Sequence, residues 1–176
     1  SVTDHSTITA DITAKALTVS GITASNKTYD ATTSATLGTG TVSYGGLVSG
    51  DTLTGTYSGV FDNANVGTGK TVTITSSYGG TDVNNYTITD QTSTTADVTA
   101  KALTAITASN KIYDGNTVAT IDISSINYGG LVAGDDVVIS TSGNFSDRNV
   151  ANGKIVIINS SYSGIDVNNY TITDQT

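Results

Sequence analysis

The chain has 176 residues, a net charge of −8 at pH 7, and no proline, cysteine, methionine or tryptophan. The acidic balance argues against nucleic acid and against an anionic membrane surface as partners, and the lack of cysteine excludes disulfides and thiolate metal sites. Threonine, valine, isoleucine and tyrosine favour strands, whereas glycine, asparagine and aspartate favour turns. This composition predicts an all-β protein with many tight turns.

The sequence is internally repeated. Residues 22–92 align with residues 106–176 without a gap, with 42 identities in 71 positions. The string TADITAKALT (9–18) returns as TADVTAKALT (95–104), 86 positions later rather than 84, because a short insertion follows the first copy. Repeats of this length are large enough to fold individually, unlike the shorter repeats of solenoids.

We assign two tandem homologous β-domains, the first repeat at residues 1–92 and the second repeat at residues 93–176. Residues 1–8 resemble the tail of a preceding repeat, since SVTDHSTI aligns with TITDQTST at 87–94. We therefore expect the chain to be a segment of a longer tandem array. Each domain is expected to be an immunoglobulin-like sandwich or a β-grasp-like fold.

Alternating apolar residues predict the strands, in chain order LTVSGITA (17–24), TLTGTY (52–57), KTVTITSS (70–77), YTITD (86–90) and DVVIST (136–141). In the third of these, Val72 and Ile74 share one face and the threonines share the other, as a half-buried strand requires. In the second repeat, Ile155 and Ile157 replace two of these outward threonines, which predicts a more apolar outer face. One short helix is allowed near residues 32–37.

The segment that joins the repeats, residues 87–104, contains neither glycine nor proline and is rich in threonine. A flexible linker would be rich in glycine and serine, and a polyproline spacer would need proline. We therefore expect an extended, stiff junction, with the helix-forming AKAL overridden by its flanks and the two domains arranged end to end as a rod.

No constellation of catalytic residues is visible. His5 is the only histidine, so no imidazole is held beside a nucleophile, and most aspartates lie in turn strings such as Gly-Asp and Tyr-Asp. We predict that the chain is not an enzyme and that it needs no cofactor.

Calcium is the metal that the composition favours, because hard oxygen donors are abundant. The loop FDNANVGTG offers Asp62, Asn63 and Asn65, but the second copy places Ser146 and Arg148 in the corresponding loop. A ligand set that changes between copies argues against a required site, and Asp62, Asn63 and Asn65 are the residues that would bind calcium if a site exists.

Four strings, in order along the chain, resemble the YDG-type repeat of very large bacterial surface adhesins, a repeat related to the MBG type. They are NKTYDATTSATL (26–37), FDNANVGTGKTVT (61–73), DVNNYTIT (82–89) and TADVTAKALT (95–104). The resemblance implies that Tyr29-Asp30 and Tyr113-Asp114 are structural, with the ring covering the edge of the core and the carboxylate capping a turn. The glycine that usually follows Tyr-Asp is Ala31 in the first repeat, so a left-handed residue is preferred there but not compulsory.

The resemblance further implies a non-catalytic stalk, or spacer, in an extracellular adhesin like the filamentous haemagglutinins and autotransporters. Such a stalk projects a distal binding region from the bacterial cell surface for cell adhesion or biofilm formation, and its partners are neighbouring repeats of the same chain. The alternative is a binding module that takes glycans of a host or biofilm surface, calcium, or a matching repeat on another cell. The features that would serve it are Tyr44, Tyr57 and Tyr78, expected to be exposed, and the face of Ile155 and Ile157. Neither hypothesis involves nucleic acid or insertion into a membrane.

Overall fold

The structure, a computed structural model, describes residues 7–104, 107–122 and 130–173. Throughout these ranges the chain is all-β: it contains short and long strands, two 3-10 turns and no α-helix. The predicted fold class is therefore confirmed at the level of an all-β chain. His5 lies outside the described residues. No described helix is long and apolar enough to cross a membrane.

The strands of the first repeat are β1 (Lys15–Ser20), β2 (Thr23–Ala24), β3 (Lys27–Thr28), β4 (Ser34–Ala35), β5 (Leu37–Gly38), β6 (Ser43–Gly45), β7 (Thr54–Phe61), β8 (Gly67–Gly79) and β9 (Tyr86–Thr89). Those of the second repeat are β10 (Ser93–Thr99), β11 (Lys101–Thr104), β12 (Thr107–Ala108), β13 (Val118–Ala119), β14 (Ile121–Asp122), β15 (Val138–Phe145), β16 (Val156–Ser163) and β17 (Tyr170–Thr173). The 3-10 turns are Val83–Asn85 and Val167–Asn169.

Strand β8 follows the predicted alternation. Val72 and Ile74 are buried, and Thr71, Thr73 and Thr75, which alternate with them, are exposed. In the second repeat, Ile155 and Ile157 are exposed at the positions of the first two of these threonines, which confirms the more apolar outer face. Alternation with period two is therefore enough to assign the faces of this strand.

The contacts within the chain define two compact units, and these do not coincide with the repeats. Unit 1 contains the residues up to Ser25 together with Ser34–Asp62 and Lys70–Ala96, whereas unit 2 contains Asn26–Thr33, Asn63–Gly69 and the chain from Asp97 onwards. A compact unit is not a sequence repeat, so the repeat boundary at residues 92 and 93 stays a prediction.

Unit 1 is built around strand β1. It pairs antiparallel with β6 and parallel with β9, while β7 pairs antiparallel with both β4 and β8. The buried core residues are Leu17, Val19, Ile22, Ile74 and Tyr86. Gln91 closes this unit, since its side-chain amide exchanges two hydrogen bonds with the backbone of Ile22, at 2.9 Å and 2.7 Å.

Unit 2 repeats part of this pattern. Strand β11 pairs parallel with β17 in the register that β1 adopts with β9, and β15 pairs antiparallel with β13 and β16. Strand β3, which belongs to the first repeat, also lies in unit 2 and pairs parallel with the end of β10. Unit 2 therefore includes segments of both repeats.

Of two local predictions, the extended junction is confirmed and the short helix is wrong. The junction is extended, since Ser93–Thr99 and Lys101–Thr104 are both strands and AKAL forms no helix. The short helix near residues 32–37 is wrong, because this stretch forms strands β4 and β5. Its alanine and leucine satisfy helix propensity, but pairing of β4 with β7 overrides that weak preference. The end-to-end rod stays a prediction.

Candidate repeat-contact site

The candidate site is a contact region inside unit 2 where segments of the first repeat meet segments of the second. We call it the repeat-contact site. The first repeat supplies Asn26–Tyr29 and Asn65–Gly69, and the second supplies Asp97–Thr99, Asp135, Asn169 and Tyr170. Backbone pairing, an aromatic pair and an asparagine hold these segments together.

The backbone part of the site is the parallel pairing of β10 with β3. Val98 lies opposite Lys27, Thr99 lies opposite Thr28, and the N–H of Tyr29 donates to the carbonyl of Thr99 at 2.8 Å. Val98 is 1% exposed, as a strand residue with neighbours on both sides should be. Two short strands from different repeats thus continue each other's hydrogen bonding.

Asp97 fixes the register of this pairing. Its N–H donates to Oδ1 of Asn26 at 2.7 Å, and the amide of Asn26 donates back to Oδ2 of Asp97 at 3.4 Å. The N–H of Gly69 donates to the other carboxylate oxygen at 2.7 Å. One carboxylate therefore binds both first-repeat segments, and charge-assisted bonds of this kind are the stronger ones.

The aromatic part of the site is an edge-to-face pair. The rings of Tyr29 and Tyr170 lie 5.5 Å apart between centroids at 77°, and both are buried. The hydroxyl of Tyr170 donates to Oδ2 of Asp135 at 2.5 Å and accepts from the N–H of Val132 at 2.9 Å. Such a pair adds about 1 kcal/mol to the stabilisation that comes from burial alone.

The environment of this pair keeps both phenols protonated. Burial, followed by the hydrogen bond and charge of Asp135, raises the pKa of Tyr29 and that of Tyr170 to about 12. A phenolate beside a carboxylate in a buried place is unfavourable on both counts. The hydroxyls consequently act as hydrogen-bonding groups rather than as acids or bases at neutral pH.

Asn169 completes the site from the 3-10 turn Val167–Asn169. Its side-chain oxygen accepts from the N–H of Val66 at 3.0 Å, and its amide nitrogen donates to Oδ1 of Asn65 at 3.3 Å. Asn169 is 4% exposed, so both bonds satisfy groups that burial would otherwise leave without a partner.

The Tyr-Asp turns are built in the same way in both repeats. Asp30 accepts from the N–H of Thr32 at 2.9 Å and pairs with Lys27 at 2.6 Å, and Ala31 between them has a φ of 59°. Burial alone would raise the pKa of Asp30, but the bonds from Lys27 and Thr32 outweigh it and lower the pKa. The carboxylate thus caps the turn from the side chain.

The second turn repeats this capping. Asp114 accepts from the N–H of Asn116 at 3.1 Å and pairs with Lys111 at 2.7 Å, and Gly115 has a φ of 80°. The hydrogen bond from Lys111, and then that from Asn116, lowers the pKa of Asp114. A left-handed residue therefore follows Tyr-Asp in each repeat, and alanine is accepted there, as the sequence indicated.

The tyrosines of these two turns differ. Tyr29 is 3% exposed, whereas Tyr113 is 58% exposed. Both turns hold their capping bonds, so the difference lies outside the turns, in what covers each ring. Tyr29 has Tyr170 against it, and covering of the core edge is thus seen for Tyr29 alone of the two.

The oxygens of the calcium candidates are already engaged. Asp62 pairs with Lys70 at 3.0 Å, Oδ1 of Asn63 accepts from the N–H of Asn65 at 3.0 Å, and Oδ1 of Asn65 accepts from Asn169. In the second repeat the acid moves one position to Asp147 and pairs with Lys154. Lysine pairing is thus what the two loops share, and no group of three metal-binding side chains occurs within the described ranges.

The three tyrosines expected to be exposed are partly buried against the core of unit 1. The hydroxyls of Tyr44 and Tyr57 lie 2.9 Å apart, the rings of Tyr57 and Tyr78 form an edge-to-face pair at 6.2 Å, and Tyr78 donates to Asp90 at 2.5 Å. The expectation of exposed aromatic rings is therefore wrong for these positions. Each ring finds partners that are distant in sequence.

Sequence reasoning missed Asp97, Asp135 and Asn169. Their strings were visible as repeated motifs, but a motif does not reveal which segment it contacts. The available signal was the Asp-Val-Asn-Asn-Tyr string, which is identical in both repeats and polar at a position that proves to be buried in the second.

The comparisons with known proteins agree with this tandem organisation. A family model described as the YDG domain matches residues 13–96 and again residues 99–176. No curated protein and no solved structure matches the chain. Since the two family matches cover most of its length, the chain belongs to the YDG domain family and carries two copies of the domain in tandem.

Proposed function

We propose that this chain is a segment of the non-catalytic stalk of a bacterial cell-surface adhesin. In this role the repeats act as spacers that project a distal binding region from the cell for attachment or biofilm formation. The observation that carries the proposal is the repeat-contact site, in which residues of the first repeat are packed into unit 2.

A spacer must hold successive repeats in a defined relation, because a flexible linker would let each repeat reorient freely. Backbone pairing of β3 with β10, together with the buried Tyr29–Tyr170 pair, favours a fixed relation between the joined segments. Paired carboxylates and protonated phenols serve this packing and supply no nucleophile.

The alternative of a binding module loses some of its support. The tyrosines that would have stacked on a sugar, Tyr44, Tyr57 and Tyr78, are partly buried against the core of unit 1. The calcium candidates have their oxygens engaged within the protein. Of the ligands of a binding module, a matching YDG repeat is the one that the contacts of the repeat-contact site support.

The proposal is tested on bacteria that encode the chain. An antibody raised against it should label intact cells, and external protease should remove the label. Strains with repeats deleted or added should keep the same adhesive specificity but lose or gain attachment according to how far the binding region projects. Labelling only after cell lysis, or a change in adhesive specificity, would contradict the stalk role.

A further inference from the structure

The second repeat carries a surface that corresponds to the first-repeat half of the repeat-contact site. At the offset of 84, Asn110–Tyr113 corresponds to Asn26–Tyr29, and Asn149–Gly153 corresponds to Asn65–Gly69. We call these two segments together the open surface. They line a groove of about 640 Å³ within unit 2.

The open surface is uncovered where its counterpart is covered. Tyr113 is 58% exposed against 3% for Tyr29, and Val150 is 85% exposed against 36% for Val66. Ile112, at the position of Thr28, is 90% exposed. Contiguous exposed apolar groups of this kind mark sites of interaction.

The first repeat carries the complementary half. At the offset of 86, Asp11–Thr13 corresponds to Asp97–Thr99, and at the offset of 84, Asn85 corresponds to Asn169. We call Asp11–Thr13 the open strand. Ile12 is 101% exposed, whereas Val98 is 1% exposed, and Asn85 is exposed, whereas Asn169 is 4% exposed.

We propose that the open surface docks the Asp-Ile/Val-Thr strand and the Asn-Asn-Tyr turn of another YDG repeat. For this chain in solution, that repeat is the first repeat of a second copy. The occupant is identified by the protein's own repeat-contact site, in which the equivalent strand and turn cover the equivalent surface. The inference does not depend on the adhesin role.

The geometry of the repeat-contact site fixes the expected contacts. Ile12 pairs parallel opposite Lys111, the N–H of Tyr113 donates to the carbonyl of Thr13, and Asp11 binds Asn110 and the N–H of Gly153. The ring of Tyr113 packs on the Asn-Asn-Tyr turn of the first repeat, whose Tyr86 is already buried against the core of unit 1, and Asn85 accepts from the N–H of Val150. The two halves lie on different repeats, so the interface is head-to-tail and does not close on itself.

The decisive experiment appends a further copy of residues 93–176 after Thr176. This recreates the native junction, because Ser93 follows Thr92 in the same way. Linkage makes the docking intramolecular at an effective concentration of the order of 1 mM. Amide hydrogen exchange is then compared between the two-repeat chain and the three-repeat chain at residues 110–113 and 149–153.

We expect exchange at residues 110–113 to slow by about tenfold or more, towards the rates of residues 26–29, because newly paired amides are protected. In the matched control, Asp97→Ala and Val98→Asp are made in the appended copy alone, and the rapid exchange should return. Unchanged exchange next to an appended copy whose long strands are themselves protected would overturn the proposal.

A second arm decides the matter if the appended copy does not fold. The unmodified chain is concentrated to about 1 mM, where weak head-to-tail contacts become populated. Exchange should slow together at residues 9–13 and 110–113, and Ile12→Asp should abolish the slowing at 110–113. Absence of slowing in this arm, or slowing brought about only by added oligosaccharides, contradicts docking of a repeat. Neither result tests whether the chain is displayed on cells, so the failure of this proposal is distinguishable from failure of the proposed function.

Discussion

The string TADIT at residues 9–13 and the string TADVT at residues 95–99 differ by one methylene, yet only the second is a strand. Ile12 is fully exposed, whereas Val98 is buried between strand neighbours. The second string pairs with β3, and Asp97 binds Asn26 and Gly69. Local sequence is the same in both places, so the partner segment decides the conformation.

The segments that begin with Asn-Lys and contain the Tyr-Asp turns also differ in conformation according to whether a partner segment covers them. NKTYD (26–30) includes strand β3 and a buried tyrosine, whereas NKIYD (110–114) forms no strand and leaves its tyrosine exposed. The covered pair of segments and the uncovered pair are thus matched halves, and each substitution in one half has a control in the other.

The largest expected effect comes from placing a charge in the two strings. Val98→Asp should lower the free energy of unfolding by about 4 kcal/mol, because an unpaired carboxylate would be buried. Ile12→Asp should change it by less than about 0.5 kcal/mol, since that side chain is in water. Urea denaturation followed by circular dichroism measures both. Equal losses would mean that the two strings share one environment.

The next largest difference is expected when the tyrosine ring of each turn is removed. Tyr29→Ala should cost about 3 kcal/mol, because the ring leaves a cavity against Tyr170. Tyr113→Ala should cost about 0.5 kcal/mol or less in the two-repeat chain, where the ring is exposed. Thermal unfolding at matched concentration compares the variants. A similar cost at both positions would show that the ring of Tyr29 stabilises the protein through contacts within its own turn and not through Tyr170.

Much of this architecture is predictable from the sequence, and the limit has a physical cause. Alternation places Val72 and Ile74 inward, and the Tyr-Asp strings identify the capped turns, because both follow from neighbours in sequence. The buried state of Tyr29 and of Asn169 depends on segments more than 100 residues away, which no local pattern encodes. The unfulfilled helix near residues 32–37 failed for the same reason, since tertiary pairing overrode propensity.

Alkaline pH should destabilise the covered half. The pKa of Tyr29 and that of Tyr170 are raised from 10 to about 12. Stability from these phenols is fully present below pH 10 and is lost as pH rises through 12, because only the unfolded chain ionises readily in between. Each such shift corresponds to about 2–3 kcal/mol, and the two are coupled through Asp135.

Tyrosinate absorbance and the unfolded fraction, followed together between pH 9 and pH 12, should rise together, and the loss of stability should spread over the range from pH 10 to about 12. Tyr170→Phe is the matched variant, since it removes one of the two phenols and keeps the ring. Its stability should fall less steeply over that range. An identical slope would show that Tyr170 does not titrate with unfolding.

The two asparagines of the Asn-Asn-Tyr turns provide a smaller contrast. Asn169→Ala should cost about 1–2 kcal/mol, because it removes a side chain that is 4% exposed and the acceptor of the N–H of Val66. Asn85→Ala removes an exposed side chain and should cost less than about 0.5 kcal/mol. Chemical denaturation decides, and a larger cost for Asn85 would reverse the assignment of covered and uncovered halves.

The smallest effect concerns the turns themselves, which both halves share. Gly115→Ala should cost about 1 kcal/mol, because its φ of 80° is left-handed and a Cβ there would meet no atom within 4 Å, so only backbone strain is added. Ala31→Gly relieves the same strain at a φ of 59° but frees the unfolded chain, so a gain below about 1 kcal/mol is expected. If both changes instead moved stability by several kcal/mol, the turns would differ in more than the residue between their caps. If the two substitutions change stability by small amounts of opposite sign, the two turns are equivalent. The difference between the covered and the uncovered half then lies in the segments that cover Val98 and Tyr29.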